Sequence, residues 1–202
     1  MKKTILIFLF TLICFNANAD KSINDWSGLY LGIYQSEDKL SANATSPDYP
    51  DEPYTVSTDK NKYNSGNFVG YNYSINNIIF GIEASYQDNV GEDQAIAILN
   101  GTVVFDDMKE YKFKIGYSFN RFLAYSFFGT GGLNVYWSDY ANEDISLHDY
   151  EIKGIGLSAK ITNNTFFGLS YSETDLDIYY PDTKYTEVIE LKATRLRFGY
   201  LF

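Results

Sequence analysis

Along most of this chain apolar and polar residues alternate one by one, and that period of two restricts the fold more than any other feature. A period of 3.6 would mark helices with one face on a core, whereas a period of two marks strands whose faces meet different surroundings. Eight segments carry it. Trp26 to Tyr34 sets Leu29, Leu31 and Ile33 against Gly28, Tyr30 and Gly32, and Gly66 to Tyr73 puts Val69, Tyr71 and Tyr73 on its apolar side. Ile78 to Tyr86 opposes Ile78, Phe80, Ile82 and Ala84 to Gly81, Glu83 and Ser85. In the fourth, Met108 to Phe119, Tyr111, Phe113, Ile115, Tyr117 and Phe119 alternate with Lys112, Lys114, Gly116 and Ser118. The fifth, Leu123 to Trp137, gathers Leu123, Tyr125, Phe127, Leu133 and Val135 on one face. Tyr150 to Ile161 sets Ile155, Leu157, Ala159 and Ile161 against Gly154, Gly156, Ser158 and Lys160. The seventh, from Phe166, opposes Phe167, Leu169 and Tyr171 to Gly168, Ser170 and Ser172. The last, Ile189 to Phe202, alternates Leu196, Phe198, Tyr200 and Phe202 with Arg195, Arg197 and Gly199.

The connections separate a membrane barrel from a soluble one. Those after the second, fourth and sixth segments are tight: Ser74 to Asn77, Asn120 to Phe122 and Thr162 to Thr165. Those after the first, third, fifth and seventh are long: Gln35 to Ser65, Gln87 to Asp107, Ser138 to Asp149 and Glu173 to Val188. Short turns at one end and long loops at the other are the asymmetry of outer-membrane barrels. The charged residues Lys112, Lys114, Arg195 and Arg197 share the glycine-rich face. Charge inside and aliphatics outside invert the polarity of a soluble barrel. The expected fold is all-β: an eight-stranded antiparallel up-and-down transmembrane barrel, with short periplasmic turns, long external loops and both termini in the periplasm. Trp26, Tyr117, Phe119, Tyr125, Tyr200 and Phe202 are expected as an aromatic belt near the short turns, and Trp137 and Tyr140 as one near the loops.

The first residues read as a leader. Lys2 and Lys3 open it, Ile5 to Phe15 are almost all apolar, and Ala17-Asn18-Ala19 has the small-x-small form cut by signal peptidase. The apolar run falls short of the roughly 20 residues of a spanning helix. Residues 1–19 are therefore expected as a signal peptide cleaved after Ala19, and residues 20–202 as the barrel domain. Cys14, the only cysteine, leaves with the leader, so the mature chain holds neither disulfide nor thiolate metal site. Aromatics make up 18% of the chain while mean hydropathy is only −0.25. Rings without long apolar runs suit strands that show lipid only every second residue. Without Lys2 and Lys3, 14 basic side chains stand against 26 acidic ones, which disfavours nucleic acid as a partner.

Several short stretches together resemble the Omp25/Omp31-like outer-membrane β-barrel family of alphaproteobacteria. They begin with Trp26-Ser27-Gly28-Leu29-Tyr30-Leu31-Gly32, Phe68-Val69-Gly70-Tyr71-Asn72-Tyr73 and Phe80-Gly81-Ile82-Glu83. Gly116-Tyr117-Ser118-Phe119, Phe122-Leu123-Ala124-Tyr125, Gly131-Gly132 and the terminal Arg197-Phe198-Gly199-Tyr200-Leu201-Phe202 follow in order. The resemblance departs at Ser170, where the family often has an acid before its tyrosine. It implies a porin-family or surface-antigen protein of the cell envelope, with some relatives linked to haemin binding or host contact, and no shared catalytic residues.

Candidate functional residues fall into three groups. Glu83, Lys112, Lys114, Arg195 and Arg197 are expected inside the barrel, one acid among four bases, as an ion-paired plug or an anion-selective filter. Eight strands leave room for little beyond side chains, which favours the plug. His148, the only histidine, stands beside Ser146 and Asp149; neighbours in one loop do not converge as a hydrolytic triad must, so no enzyme is expected. It also offers one axial haem ligand, although a lone loop histidine is ordinarily solvated. Tyr200 and Phe202 are expected as the assembly signal read by the barrel-assembly machinery. The long loops carry acids such as Glu37, Asp38, Asp48, Asp51, Glu52 and Asp59, and tyrosines such as Tyr49, Tyr54, Tyr140 and Tyr179. That composition suits contact with a host or environmental surface ligand, or a solvated surface meeting the cations of lipopolysaccharide. No loop has the spacing of a calcium or phosphate loop, and no metal or cofactor is expected.

Overall fold

A computed structural model gives the fold of residues 23–45, 55–56, 61–88, 91–93, 103–137, 146–180 and 185–202. The expected leader with Ala19, and Tyr49, Tyr54 and Tyr140, lie outside these described residues. Eight long strands form the wall: β1 Gly28–Thr45, β2 Asn61–Ile75, β3 Ile78–Gln87, β4 Val103–Phe119, β5 Phe122–Trp137, β6 Ser146–Lys160, β7 Thr165–Tyr180 and β8 Tyr185–Leu201. Short pieces Thr55–Val56 and Gly91–Asp93 pair with β1 and β4 near their outer ends. Each long strand is antiparallel to the next, and β8 pairs with β1 from Tyr30↔Leu201 to Thr45↔Thr186, so the sheet closes.

The register fixes the shape. Leu29 lies opposite Tyr71, then Ile82, Phe113, Phe128, Lys153, Glu173 and Lys192 follow in turn, and the path re-enters β1 at Lys39, ten residues beyond its start. A stagger of that size over eight strands tilts them by about 40° from the barrel axis. Outward apolar residues then form one band. On β4 it runs from Phe119 to Tyr111 through Tyr117, Ile115 and Phe113, all exposed. At ~3.3 Å per residue and that tilt, the band is roughly 20 Å tall, close to the ~25 Å apolar band of outer-membrane barrels.

The short turns seal one end. Ile75↔Ile78 and Phe119↔Phe122 are joined through two residues each, with Asn76 at φ 56° and Asn120 at φ 51°. Asparagine tolerates that left-handed backbone better than most residues. The third turn is held by Ile161 N donating to Thr165 O at 2.9 Å and by hydrogen bonds from the Asn164 and Thr165 amides to Thr162 Oγ1.

The strands outrun the expected segments. β1 continues to Thr45 rather than Tyr34, β2 starts at Asn61, β4 at Val103, β6 at Ser146, β7 reaches Tyr180 and β8 starts at Tyr185. Above the apolar band both faces become polar, as at Gln35, Ser36, Glu37 and Asp38. The hydropathy contrast fades there while the backbone ladder continues. His148 is accordingly a residue of β6, paired opposite Leu133 of β5, and not part of a loop.

Two expectations about facing are corrected. Leu123, Tyr125, Phe127 and Leu133 point into the barrel, while Ala124, Ser126 and Phe128 face outward. Large inward side chains on β5 fill space left by the inward glycines of its neighbours. A Cβ on Gly156 would sit 2.3 Å from Tyr125 Cζ, and one on Gly70 would sit 2.2 Å from Tyr30 Oη. Trp26 is likewise not part of the membrane-interface belt: it is 1% exposed, edge-on to Phe166 at 5.6 Å, and closes the short-turn end of the interior. Lys160 Nζ lies 5.4 Å from its ring and donates to the carbonyls of Asp25 and Asn163. Tyr117, Phe119 and Tyr200 do face outward near the turns.

Gly156→Val forces a branched side chain into the Tyr125 ring. The expected cost is about 1–3 kcal/mol, seen as a lower urea midpoint for the barrel refolded in lipid vesicles; an unchanged midpoint would show that this contact does not fix the interior.

Candidate functional site

The interior is layered, and its layers follow from strand register. On β4 the inward positions Glu110, Lys112 and Lys114 lie opposite Ser85, Glu83 and Gly81 of β3. On β8 the inward Arg195 and Arg197 approach from across the barrel, where no register relation predicts their partners.

Glu83 Oε2 accepts hydrogen bonds from Arg197 Nη2 at 2.5 Å, Lys114 Nζ at 3.0 Å and Tyr30 Oη at 3.0 Å. Arg197 also donates to Tyr125 Oη at 2.8 Å and stacks its guanidinium 4.1 Å from the Phe68 ring centre. Lys114 Nζ lies 4.3 Å from the centre of the Tyr30 ring. Nearer the loop end, Arg195 grips Glu110 through two bonds, Nη1 to Oε2 at 2.6 Å and Nη2 to Oε1 at 2.7 Å. Lys112 ties the two acids together, 2.6 Å from Glu110 Oε2 and 3.7 Å from Glu83 Oε1. Ser85 Oγ completes this layer with a 2.8 Å bond to Glu110.

The next layer outward holds its acid with hydrogen bonds from neutral donors rather than with cations. Asp38 accepts from Ser36 Oγ at 2.5 Å, Asn64 Nδ2 at 2.8 Å and Gln87 Nε2 at 2.9 Å. Met108, Leu133, Ile152, Leu176 and Leu191 are buried alongside.

Glu83 and Glu110 side chains are each 1% exposed. Carboxylates so enclosed are tolerable only with charged partners and full hydrogen bonding. Aromatic faces take up part of the excess cationic charge: Arg195 lies 5.0 Å from the Tyr34 ring centre and Lys112 5.4 Å from that of Phe127. Below the ion pairs, Trp26, Tyr30, Asn72, Lys114, Tyr125 and Phe166 are among the walls of a cavity of only ≈ 10 Å³, space for about one water molecule.

The structure thus brings together all five expected interior residues, and it adds a second acid. Glu83 is the one acid among the five expected interior residues; Glu110 occupies the same face two positions before Lys112, and that spacing is its signal. Tyr30 and Tyr34 stand on that face within the expected first segment, and Ser36 and Asp38 are found by carrying its period past Tyr34. Tyr125 could not, because β5 inverts the usual apolar-out rule. Ser170, where the family resemblance lapses, is buried on the opposite wall and takes no part in the ion pairs among the described residues. At the outer rim, Asp88, Asp106 and Asp107 bring their carboxylates within 4.8 Å of one another, with Asp107 accepting from Tyr86 Oη at 2.5 Å and Asn134 Nδ2 at 3.3 Å. The chain ends with Phe202 N donating to Leu29 O at 2.8 Å, beside the Tyr200 ring at 4.9 Å.

A closed eight-stranded barrel with an apolar outer band and a charged interior defines an outer-membrane barrel protein. Residues 7–202 match the outer membrane protein beta-barrel domain family, and the chain belongs to it. It is 22% identical over 180 residues to the 25 kDa outer-membrane immunogenic protein of Brucella ovis, covering 88% of this chain and 78% of that one. In fold it is similar to OprG from Pseudomonas aeruginosa, with TM-score 0.55 and 11% identity over 90% of this chain and 99% of OprG. It is also similar to Neisserial surface protein A, with TM-score 0.50 and 13% identity over 87% of this chain and 98% of that protein. The protein therefore resides in the outer membrane of a Gram-negative cell.

Glu83→Gln removes the acid on which Arg197 and Lys114 converge. Breaking such a buried set is expected to cost about 3–5 kcal/mol, whereas Glu37→Gln on the exposed outer wall should change stability by less than about 1 kcal/mol. Equilibrium unfolding in vesicles measures both, and equal small losses would mean the interior pairs contribute nothing net.

Proposed function

We propose that this is a non-enzymatic envelope protein that acts through its external surface, with the barrel as a closed anchor. The observation that carries this reading is the filled interior. Glu83, Glu110, Lys112, Lys114, Arg195 and Arg197 interlock across the lumen, and Trp26 stands beneath them. A narrow anion channel would need cations facing water along a continuous path, whereas these cations are spent on carboxylates and rings. What remains available for partners is the wall above the membrane and the long acidic connections. The similarity to an immunogenic outer-membrane protein of Brucella agrees with a role at the cell surface, and the acid- and tyrosine-bearing connections suit adaptable protein contact.

Replacing residues 46–60 with a short Gly-Ser linker is expected to leave the heat-resistant folded form intact on gels while abolishing adhesion of expressing cells to host-cell or matrix-coated surfaces. Adhesion equal to wild type on every surface would overturn the contact role. Purified wild-type barrel in planar bilayers should give no conductance steps, and regular steps would replace this reading with that of a pore.

A further inference from the structure

The interior pairs leave positive charge over. Each linked carboxylate is shared by two cations, Glu83 by Arg197 and Lys114, and Glu110 by Arg195 and Lys112. All six groups are buried. Two cations less one carboxylate leave one positive charge around Glu83. An ion taken out of water without an opposite charge beside it is strongly destabilising. Aromatic faces offset this only in part, at about 2 kcal/mol for a desolvated cation. Tyr30 under Lys114 and Phe68 under Arg197 therefore do not balance the layer.

The small cavity of ≈ 10 Å³ lies against this layer, with Lys114 and Arg197 among its walls and no carboxylate. Its remaining polar walls are also rich in donors. Trp26 Nε1–H can only donate; it is buried and meets no acceptor among the described residues. Tyr125 Oη accepts from Arg197, so its own O–H is left to donate. Asn72 Oδ1 is buried without a donor among the described residues, and a half-turn of that amide exchanges the oxygen for Nδ2–H₂.

We propose that this cavity binds one small inorganic anion, chloride in the cell. Lys114 and Arg197 supply the opposite charge, and Trp26, Tyr125 and the turned amide of Asn72 supply N–H and O–H donors. The ion cancels the positive charge left around Glu83. A water molecule fits the space but carries no charge to cancel, and a cation is repelled by Lys114 and Arg197. A polyatomic anion such as gluconate is too large for ≈ 10 Å³. The chloride is held and not conducted, because Arg195, Glu110 and Lys112 interlock in the layer above it.

The test is equilibrium unfolding by urea of the full barrel in phosphatidylcholine vesicles, with sodium chloride exchanged for sodium gluconate at constant ionic strength. A folded-state site half-filled at about 10 mM lowers the unfolding constant about tenfold as chloride rises from about 1 to about 100 mM. Lys114→Met removes one cation while Glu83 keeps Arg197, and should abolish the chloride dependence. Arg121→Gln, at an exposed short turn, should keep it. Crystals of the wild type grown with bromide in place of chloride give a direct readout, an anomalous peak between Lys114, Arg197 and Trp26, and this decides alone if Lys114→Met does not fold. A wild type indifferent to chloride, a dependence that the folded Lys114→Met retains or that Arg121→Gln loses, or a cavity without a halide peak would each overturn the proposal.

Discussion

In hydrocarbon no water is present to satisfy a backbone amide, so every N–H and C=O of a spanning strand must find its partner in the protein. Here that requirement is met by the pairing of β8 with β1, which turns an open sheet into a closed one. Everything else hangs on this seam. Its register sets the stagger, the stagger sets the tilt, and the tilt sets both the height of the apolar band and the width of the interior. A slip of one residue at the seam would turn Arg195 and Arg197 toward lipid and Leu196 and Phe198 inward. The seam is therefore specified by what the two faces contain, and the contents of the interior are part of what closes the barrel.

Those contents answer a packing problem with two kinds of residue. Interior glycines leave room beside the wall, and rings from the neighbouring strand lie over them, as Tyr30 does at Gly70 and Tyr125 at Gly156. The same rings then present hydroxyls and π-faces to Glu83, Arg197 and Lys114. Glycine is thus coupled to charge through the aromatic between them. A purely apolar interior of the same width would need no such pairing, but it would not distinguish the inward face from the lipid face. The buried ions make that distinction absolute, because an arginine turned toward hydrocarbon is far more costly than one facing a carboxylate.

How much of this was legible in the sequence follows the same logic. The alternation was readable wherever one face meets lipid, as at Ile78 to Ala84 or Leu196 to Tyr200, since there the two environments differ most. It faded above the membrane, where Glu37 faces out and Asp38 faces in and both are acidic, so the strand extensions were read as loops. Facing failed at β5, where Tyr125 and Phe127 are inward aromatics opposite small outward residues. Glu83, Lys112 and Lys114 were readable as a group because each falls on the polar side of its segment and β3 and β4 are consecutive in the wall, while the long connection between those strands left the Glu83↔Lys112 register to the structure. The partnership of Arg197 with Glu83 spans the lumen between strands that never pair, and no local spacing encodes it.

The strand extensions matter because they set where chemistry can begin. On β1 Ile33 is the last aliphatic outward residue of the band, and Thr45 stands twelve residues beyond it, which at ~3.3 Å per residue and the common tilt is roughly 30 Å of projecting wall. Its outer face carries side chains of both signs, among them Glu37, Lys39, Lys109, Glu151, Lys153, Asp175 and Lys192. Those nearest the band meet lipid headgroups, and those higher up meet whatever approaches the cell. Rigid strands hold both sets at fixed heights, which a flexible loop cannot do. The apolar band and the polar wall above it are thus successive storeys of one wall, and the same tilt carries Glu151 and Asp175 above the hydrocarbon.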